Sequence, residues 1–360
     1  MATYQGRILT KSPYYITEAV NSGATSNLEI RIWNGDFNTE PTAIDYNLSK
    51  QALSTSSTNV SFEIAKIIDD YISHSSTPYT NVGSENPDSL WVNIKSFGGD
   101  ANRDDTWLVS DGYSNFLDGI NYSPTDVVLI SERILYHYDS FPLRLPVYCD
   151  GTSNANFVTF RKGTNEIFTE SLVSYINSNN SYDKIQYVSL TGYSENEIDN
   201  IIIKNNVGAT IDSLEIKPMN CNKYEPHIVS FINRFGYNQE LIFSMKSRES
   251  LSITKKTYNR KTLTFNNGIP SYDTGKHVYK DYNANVRERI TLNSDYIDES
   301  LNDTIAELIS SENVWITTNG VTKPVNVTTK TLQYKSRVND NLLQYSIDFE
   351  YAYDKRNNIY

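Results

Sequence analysis

The stretch RITLNSDYIDESLNDTIAELISSENVWITTNGVTKPVNVTTKTLQYKSRVNDNLLQYSIDFEYAYD, residues 289–354, decides how the rest of the chain is read. A helix signal comes first. Ser294 or Asp295 offers a side-chain oxygen to an unpaired first-turn amide. Behind it, Ile297, Leu301, Ile305, Leu308 and Ile309 recur at helical spacing and predict one apolar face near residues 295–310. The period then changes to two. Val314, Trp315 and Ile316 lead into Asn319-Gly320, a pair that accepts the positive φ angles of a tight hairpin turn. A return strand runs through Val325 and Val327. A second hairpin is expected to join residues 329–336 to 342–353 across Asn339-Asp340-Asn341, with Tyr345, Ile347, Phe349 and Tyr351 on one face. A helix lying against such a sheet buries both apolar faces.

Outward from this stretch the composition agrees. Tyr is abundant at 27 residues and Met scarce at three. Tyr, Thr, Ile and Val suit strands, while Asn, Ser, Asp and Gly suit turns. The expected fold is mainly β: two or three antiparallel β-sandwich-like domains with two short amphipathic helices packed on the sheets. Residues 1–130 form the first unit, with a helix near 61–73 capped by Ser61 and striped by Ile64, Ile67, Ile68, Tyr71 and Ile72. Residues 131–245 form a middle sandwich, and residues 246–360 an α+β unit. Strands are expected at Leu28–Ile32, 91–95, 107–109, 126–130, 143–148, 157–160, 166–169, 184–190, 200–204, 211–217, 227–233 and 240–245. Several meet at turn pairs: Asn34-Gly35, Asp111-Gly112, Lys162-Gly163 and Phe235-Gly236.

Three segments together carry a family resemblance. They are IRIWNGDFNTEPTAIDYNLSK with VSFEIAKIIDDYI (residues 30–72), CNKYEPHIVSFINRFGYNQELIFSMKSRESLSITKKTY (221–258), and the opening stretch with its K-P-V-N-V, Y-K-S-R-V-N-D and Y-S-I-D-F-E-Y-A motifs. They cover about half of the chain. The chain resembles structural tail, ring and collar proteins of phages infecting Bacteroidetes, including crAss-like podoviruses. The resemblance implies a virion subunit between portal and tail tip, made in the host cytoplasm. Its implied partners are further copies of itself in a closed ring and neighbouring portal and tail proteins.

The residues themselves bound the chemistry. A net charge of −11 argues against wholesale nucleic-acid binding, and no run approaches the length of a membrane span. The N-terminal residues lack the apolar core of a signal peptide. Cys149 and Cys221 are too few for a disulfide framework and lack CxxC spacing, so they read as two unpaired thiols. His74, His137, His227 and His277 are scattered, and no phosphate loop, nucleophile elbow or dinucleotide fingerprint occurs. No catalytic residue, metal or cofactor is expected. The run Asp100-Ala-Asn102-Arg-Asp104-Asp105 has carboxylates at alternating positions but lacks the Gly and Glu of an EF-hand loop, so it reads as a solvated loop.

One segment departs from the acidic background. Between Met245 and Ile290 stand ten Lys and Arg against four Asp and Glu, a net of +6. Lys255, Lys256, Arg260 and Lys261 form its densest part. It reads as a solvated face or as a contact with an acidic neighbouring subunit, less readily with passing DNA. Two rival functions remain. One is a receptor- or glycan-binding module stacking sugars on exposed Trp and Tyr, with Trp33, Trp91, Trp107 and Trp315 the residues to watch, although all four sit in strand-like apolar sequence or beside a turn. The other is a tail-associated hydrolase, which requires two carboxylates facing a cleft.

Overall fold

Strand period, turn chemistry and two short helices give three mainly β units that meet at one corner. The computed structural model describes residues 3–34, 37–53, 58–74, 89–99, 102–138, 144–149, 155–172, 185–189, 197–219, 223–333 and 342–356. The fold is mainly β with predominantly antiparallel sheets, as the composition predicts.

In the N-terminal sheet the strands run in the order Thr3–Leu9, Arg103–Ser110, Ser89–Phe97, Thr25–Trp33 and Tyr46–Gln51. Alternation assigns its two faces. Leu28, Ile30, Val92, Ile94, Trp107 and Val109 face a core closed by the paired strands Tyr15–Val20 and Thr58–Glu63. Trp33, Trp91 and Leu108, one residue out of phase, face the other way. The first strand joins the edge in parallel, Thr3 opposite Asp105 and Leu9 opposite Ser110. A second parallel pair, Ile134–His137 with Thr210–Pro218, closes the middle sheet. Neither has a local turn to announce it, which is why sequence reading gave only antiparallel pairs.

The helix expected near 61–73 is shorter, Ala65–Asp69. Ser61 does not cap it. It lies inside the strand Thr58–Glu63 and its hydroxyl meets that of Thr17 at 2.9 Å. Ile64 and Ile68 are buried as the stripe requires, but Tyr71 is exposed.

The middle unit is a sandwich. Five strands, in the order Asn165–Ser171, Phe157–Lys162, Asn200–Lys204, Thr210–Pro218 and Ile134–His137, cover the pair Arg144–Tyr148 and Ile185–Ser189. Val158, Phe160, Ile201 and Ile203 pack against Leu145, Val147, Cys149 and Val188. The strand expected at 126–130 is reduced to a single bridge between Val128 and Val147.

The C-terminal sheet has seven strands, in the order Asn238–Phe243, His227–Ile232, Val314–Thr318, Val321–Val327, Ser346–Tyr351, Tyr279–Asn293 and Arg248–Asn259. It draws in the 227–243 hairpin from ahead of residue 245. Asn319 (φ 50°) and Gly320 (φ 76°) make the turn expected of them. The second hairpin does not form as read. Residues 329–333 carry no strand, and Ser346–Tyr351 pairs with Val321–Val327 and Tyr279–Asn293 instead. Its turn, residues 339–341, lies outside the described residues.

The helix of this unit is Asn302–Ser310, preceded by a 3-10 turn Glu299–Leu301. Asp298 caps that turn by accepting from Ser300 N at 3.0 Å. Ser294 is unavailable because its hydroxyl accepts from Tyr345 N at 2.8 Å. Leu301, Ile305 and Leu308 are buried against Val229, Phe231, Phe243, Ile347 and Phe349.

The three units lock at two glycine corners. Gly112 ends the strand Arg103–Ser110, and Gly236 (φ +83°) turns the 227–243 hairpin. A Cβ on Gly112 would lie 2.5 Å from Arg234 O, and one on Gly236 would lie 2.6 Å from Asp111 N. Tyr113 N donates to Arg234 O at 2.8 Å, and Ser110 Oγ to Phe235 O at 2.8 Å. Around this contact Trp33, Trp91, Leu108, Leu129, Tyr148, Ile185, Phe235 and Tyr237 form one buried cluster contributed by all three units.

Two substitutions test this packing. Leu308→Ala should cost about 2–5 kcal/mol in denaturant unfolding, the usual loss for a fully buried Leu. Gly236→Ala and Gly208→Ala impose the same positive-φ strain, since Gly208 has φ +81°, but Gly208 has open space around it. Gly236→Ala should therefore lose about 1–3 kcal/mol more than Gly208→Ala. Equal losses would show that the two corners are not in contact.

Candidate interaction surface

The strands Arg248–Asn259 and Tyr279–Asn293 are the longest in the chain, and they outrun their sheet. Ser346–Tyr351 flanks only Arg289–Asn293, and Lys355 N donates to Val286 O at 2.8 Å. Beyond that point, residues 254–285 form a two-stranded arm with no third strand among the described residues. Its ladder from Thr254 to Asn259 spans about 20 Å, from roughly 3.3 Å per residue. A bulge between Thr254 and Lys256 kinks it. A further small hairpin, Thr264–Asn266 with Ile269–Ser271, forms the tip around Asn267 (φ 49°) and Gly268 (φ 80°).

The arm has no core. Apart from Thr262 and Ala284, its described side chains are exposed, and these include Tyr258, Leu263, Phe265, Ile269, Tyr272, Val278, Tyr279 and Tyr282. An isolated two-stranded ribbon is at best marginally stable in water. A solvated ribbon with this many apolar and aromatic side chains has the composition of a surface that becomes covered.

All four residues singled out by charge lie on this arm. Lys255 and Lys256 are in the strand Arg248–Asn259, and Arg260 and Lys261 follow it. Lys255 reaches Asp281 at 3.1 Å, whereas no ion pair among the described residues holds Lys256, Arg260 or Lys261. The arm's aromatics were missed by sequence reading. Their signal, apolar residues between charged ones without a clean period, reads as an ordinary two-faced strand.

A second exposed apolar feature was also missed. Residues 115–120, NFLDGI, hold a 3-10 turn Phe116–Asp118 on the N-terminal unit. Phe116 is 98% exposed and Leu117 93%. The signal available was an apolar pair set among Asn, Asp, Gly and Ser, where a loop normally has none.

The remaining candidates are interior. All four tryptophans are buried, so none offers a stacking platform. Asp104 and Asp105 are consecutive residues of a strand and point to opposite faces. Asp104 accepts from Asn93 at 2.9 Å and Asp105 from Gln5 at 2.8 Å. Their loop partner Asp100 lies outside the described residues, as does Cys221.

A cleft of about 320 Å³ between the N-terminal corner and the end of the long helix is lined by Lys11, Asp111, Tyr113, Ser310 and Glu312. Its charges are mutually engaged. Lys11 reaches Glu312 at 2.8 Å and Asp111 at 3.4 Å, and His74 Nε2 lies 2.7 Å from Asp111. Burial pushes the Asp111 carboxyl up, but His74 and Lys11 outweigh it and hold the group below its ordinary value. This is a clasp between two units.

Glu132 and Glu307 are the buried carboxylates that share one neighbourhood. Glu132 accepts from Gln239 Nε2 at 2.5 Å and from the Thr304 hydroxyl. Glu307 accepts from the Ser131 hydroxyl and from Arg234 N at 3.3 Å. Every carboxylate oxygen thus has a protein donor, and the void beside Glu132 measures about 20 Å³, room for a single water. A sugar ring does not fit there. Burial pushes Glu307 up and raises Glu132 from 4.5 to about 7.

No protein-family model matches the chain, and comparison with curated proteins finds no match. Among the described residues no helix is long and apolar enough to cross a membrane.

The raised Glu132 value has a measurable sign. Between pH 4.5 and 7 the folded protein keeps this proton while the unfolded chain has released it. Its contribution to stability is therefore full below about pH 4.5 and is lost as pH rises through 7. Glu132→Gln should gain stability relative to the parent on going from pH 5 to pH 8, by on the order of 3 kcal/mol. A pH-independent difference between the two proteins would refute the buried-proton assignment.

Proposed function

We propose that this chain is a structural subunit of a bacteriophage virion, a ring, collar or tail component lying between portal and tail tip. It acts through interfaces with copies of itself and with neighbouring portal and tail proteins. The arm at residues 254–285 carries this reading. A ribbon that leaves Phe265, Ile269, Tyr272 and Tyr279 in solvent makes thermodynamic sense when a neighbour covers it, because aromatic burial supplies much of the affinity at protein interfaces. The family resemblance at residues 30–72, 221–258 and 289–354 points the same way. The adhesin alternative depends on exposed aromatics able to stack on sugars; its four candidate tryptophans are in the core, which leaves it the arm's exposed tyrosines. Glycan binding by the isolated protein would favour it.

The arm gives a direct test. Replacing residues 254–285 by an Asn-Gly turn removes no part of the three cores, so the melting temperature should stay close to that of the parent. Supplied in trans during infection, the armless chain should enter purified particles at least about tenfold less than the intact one, the effect of losing about 1.4 kcal/mol or more of contact energy. Equal incorporation of both chains, or particles that lack the intact chain altogether, would end the proposal.

A further inference from the structure

The arm needs a seat, and the same chain presents one. The turn at residues 115–121 is held rigidly from behind. Asp118 accepts from Asn115 N at 2.8 Å and closes the turn on itself. Gly119 (φ 75°) and Asn121 (φ 58°) reverse the backbone. The Asn121 side chain then accepts from Tyr15 N at 2.6 Å and donates to Tyr15 O at 2.9 Å, and Ser114 N donates to Ser12 Oγ at 2.6 Å. Two apolar side chains, Phe116 and Leu117, stand almost fully in water on this base, with Ile120 beside them at 66% exposure. Holding the backbone of this turn in place before any contact removes part of the ordering cost of docking.

We infer that this turn is the seat for the arm of a second copy of the chain; the inference rests on the interface reading given above. Charge selects the partner. Up to residue 130 the chain has seven Lys and Arg against sixteen Asp and Glu, a net of −9, whereas residues 246–290 carry +6. The acidic unit and the basic arm of another copy attract, while two arms repel, as do two N-terminal units. A net-negative unit is likewise repelled by an anionic lipid surface. Both patches are exposed in the same chain, so neither covers the other within it. The contact therefore joins two different patches on successive copies. Such an arrangement propagates and closes when the rotation between copies divides a full turn. Phe116 and Leu117 would pack among Phe265, Ile269 and Tyr272, with Lys256, Arg260 and Lys261 drawn to Asp118 and the net-negative unit that carries it.

A complementation experiment tests the seat. One variant lacks the arm (residues 254–285 replaced by a turn) and keeps the seat. The other, Phe116→Ser with Leu117→Ser, keeps the arm. Should the armless variant fail to fold, Lys256→Glu, Arg260→Glu and Lys261→Glu in the full-length chain takes its place. Each variant alone should sediment as a monomer. Mixed, they should form a 1:1 complex and stop there, weakened about tenfold by raising salt from roughly 0.05 to 0.5 M. Three outcomes overturn the seat. One is self-association of the arm-only variant, which would mean that arm pairs with arm. Another is undiminished salt-resistant association. The third is the absence of a mixed complex at about 0.5 mM, well above the micromolar limit of a standard interface, which would give the arm to a different protein. In that last case the incorporation experiment still decides the virion reading.

Discussion

The backbone contact between the Asp111-Gly112 corner and the Phe235-Gly236 turn is the constraint on which the rest depends. Two chains of main-chain atoms approach so closely that neither position has room for a Cβ. That approach brings the N-terminal sheet against the hairpin of the C-terminal one. Asn233 then fixes the turn from inside, accepting from Phe235 N and Tyr237 N and donating to Leu129 O at 2.7 Å. Through Leu129 and Tyr148 the middle sandwich is drawn into the same cluster. Three small cores, each modest alone, share one boundary. Among the polar groups trapped there, Glu132 accepts from Gln239 and Thr304, and Glu307 from Ser131 and Arg234 N. Such a network fixes a unique arrangement of the parts more than it adds stability.

That corner also explains the division of labour in the molecule. On the junction side the tryptophans are buried, and Glu132 and Glu307 have a protein donor for each carboxylate oxygen. Apolar side chains stand in water on the arm and on the turn at residue 116, as they do singly elsewhere, for example at Leu53 and Val207. A rigid body with projecting contact elements is what repeated assembly requires: the body keeps its shape while the projections exchange water for a neighbour.

Local signals were legible and long-range ones were not. Asn319-Gly320 announced its own turn because the two positive φ values are a property of that dipeptide. The stripe of Leu301, Ile305 and Leu308 announced a helix face, and it is buried. Ser294 misled as a cap because its hydroxyl is taken by Tyr345, some fifty positions away, a competition invisible in the sequence nearby. Ser61 misled because the strand Thr58–Glu63 finds its partner at Tyr15–Val20. The hairpin proposed for residues 329–353 failed for the same reason: Ser346–Tyr351 obtained better neighbours elsewhere in the sheet. For the candidate surface, charge located the arm through Lys255, Lys256, Arg260 and Lys261. It could not reveal that the strand carrying them outruns its sheet, since that depends on where Ser346–Tyr351 stops.

The order of synthesis gives the shared corner a further consequence. The first strand, Thr3–Leu9, cannot pair until Arg103–Ser110 has left the ribosome, because the two are parallel and the second closes the register. Even then the cover over Trp33, Trp91 and Leu108 is incomplete: Tyr4 and Phe37 lie edge-on to Trp91, but Phe235 and Tyr237 are roughly 130 residues downstream. At about ten residues per second this aromatic face waits on the order of ten seconds for its lid. A nascent chain halted in that interval would present a tryptophan-rich surface to whatever is near, and a truncation short of residue 237 would do so permanently.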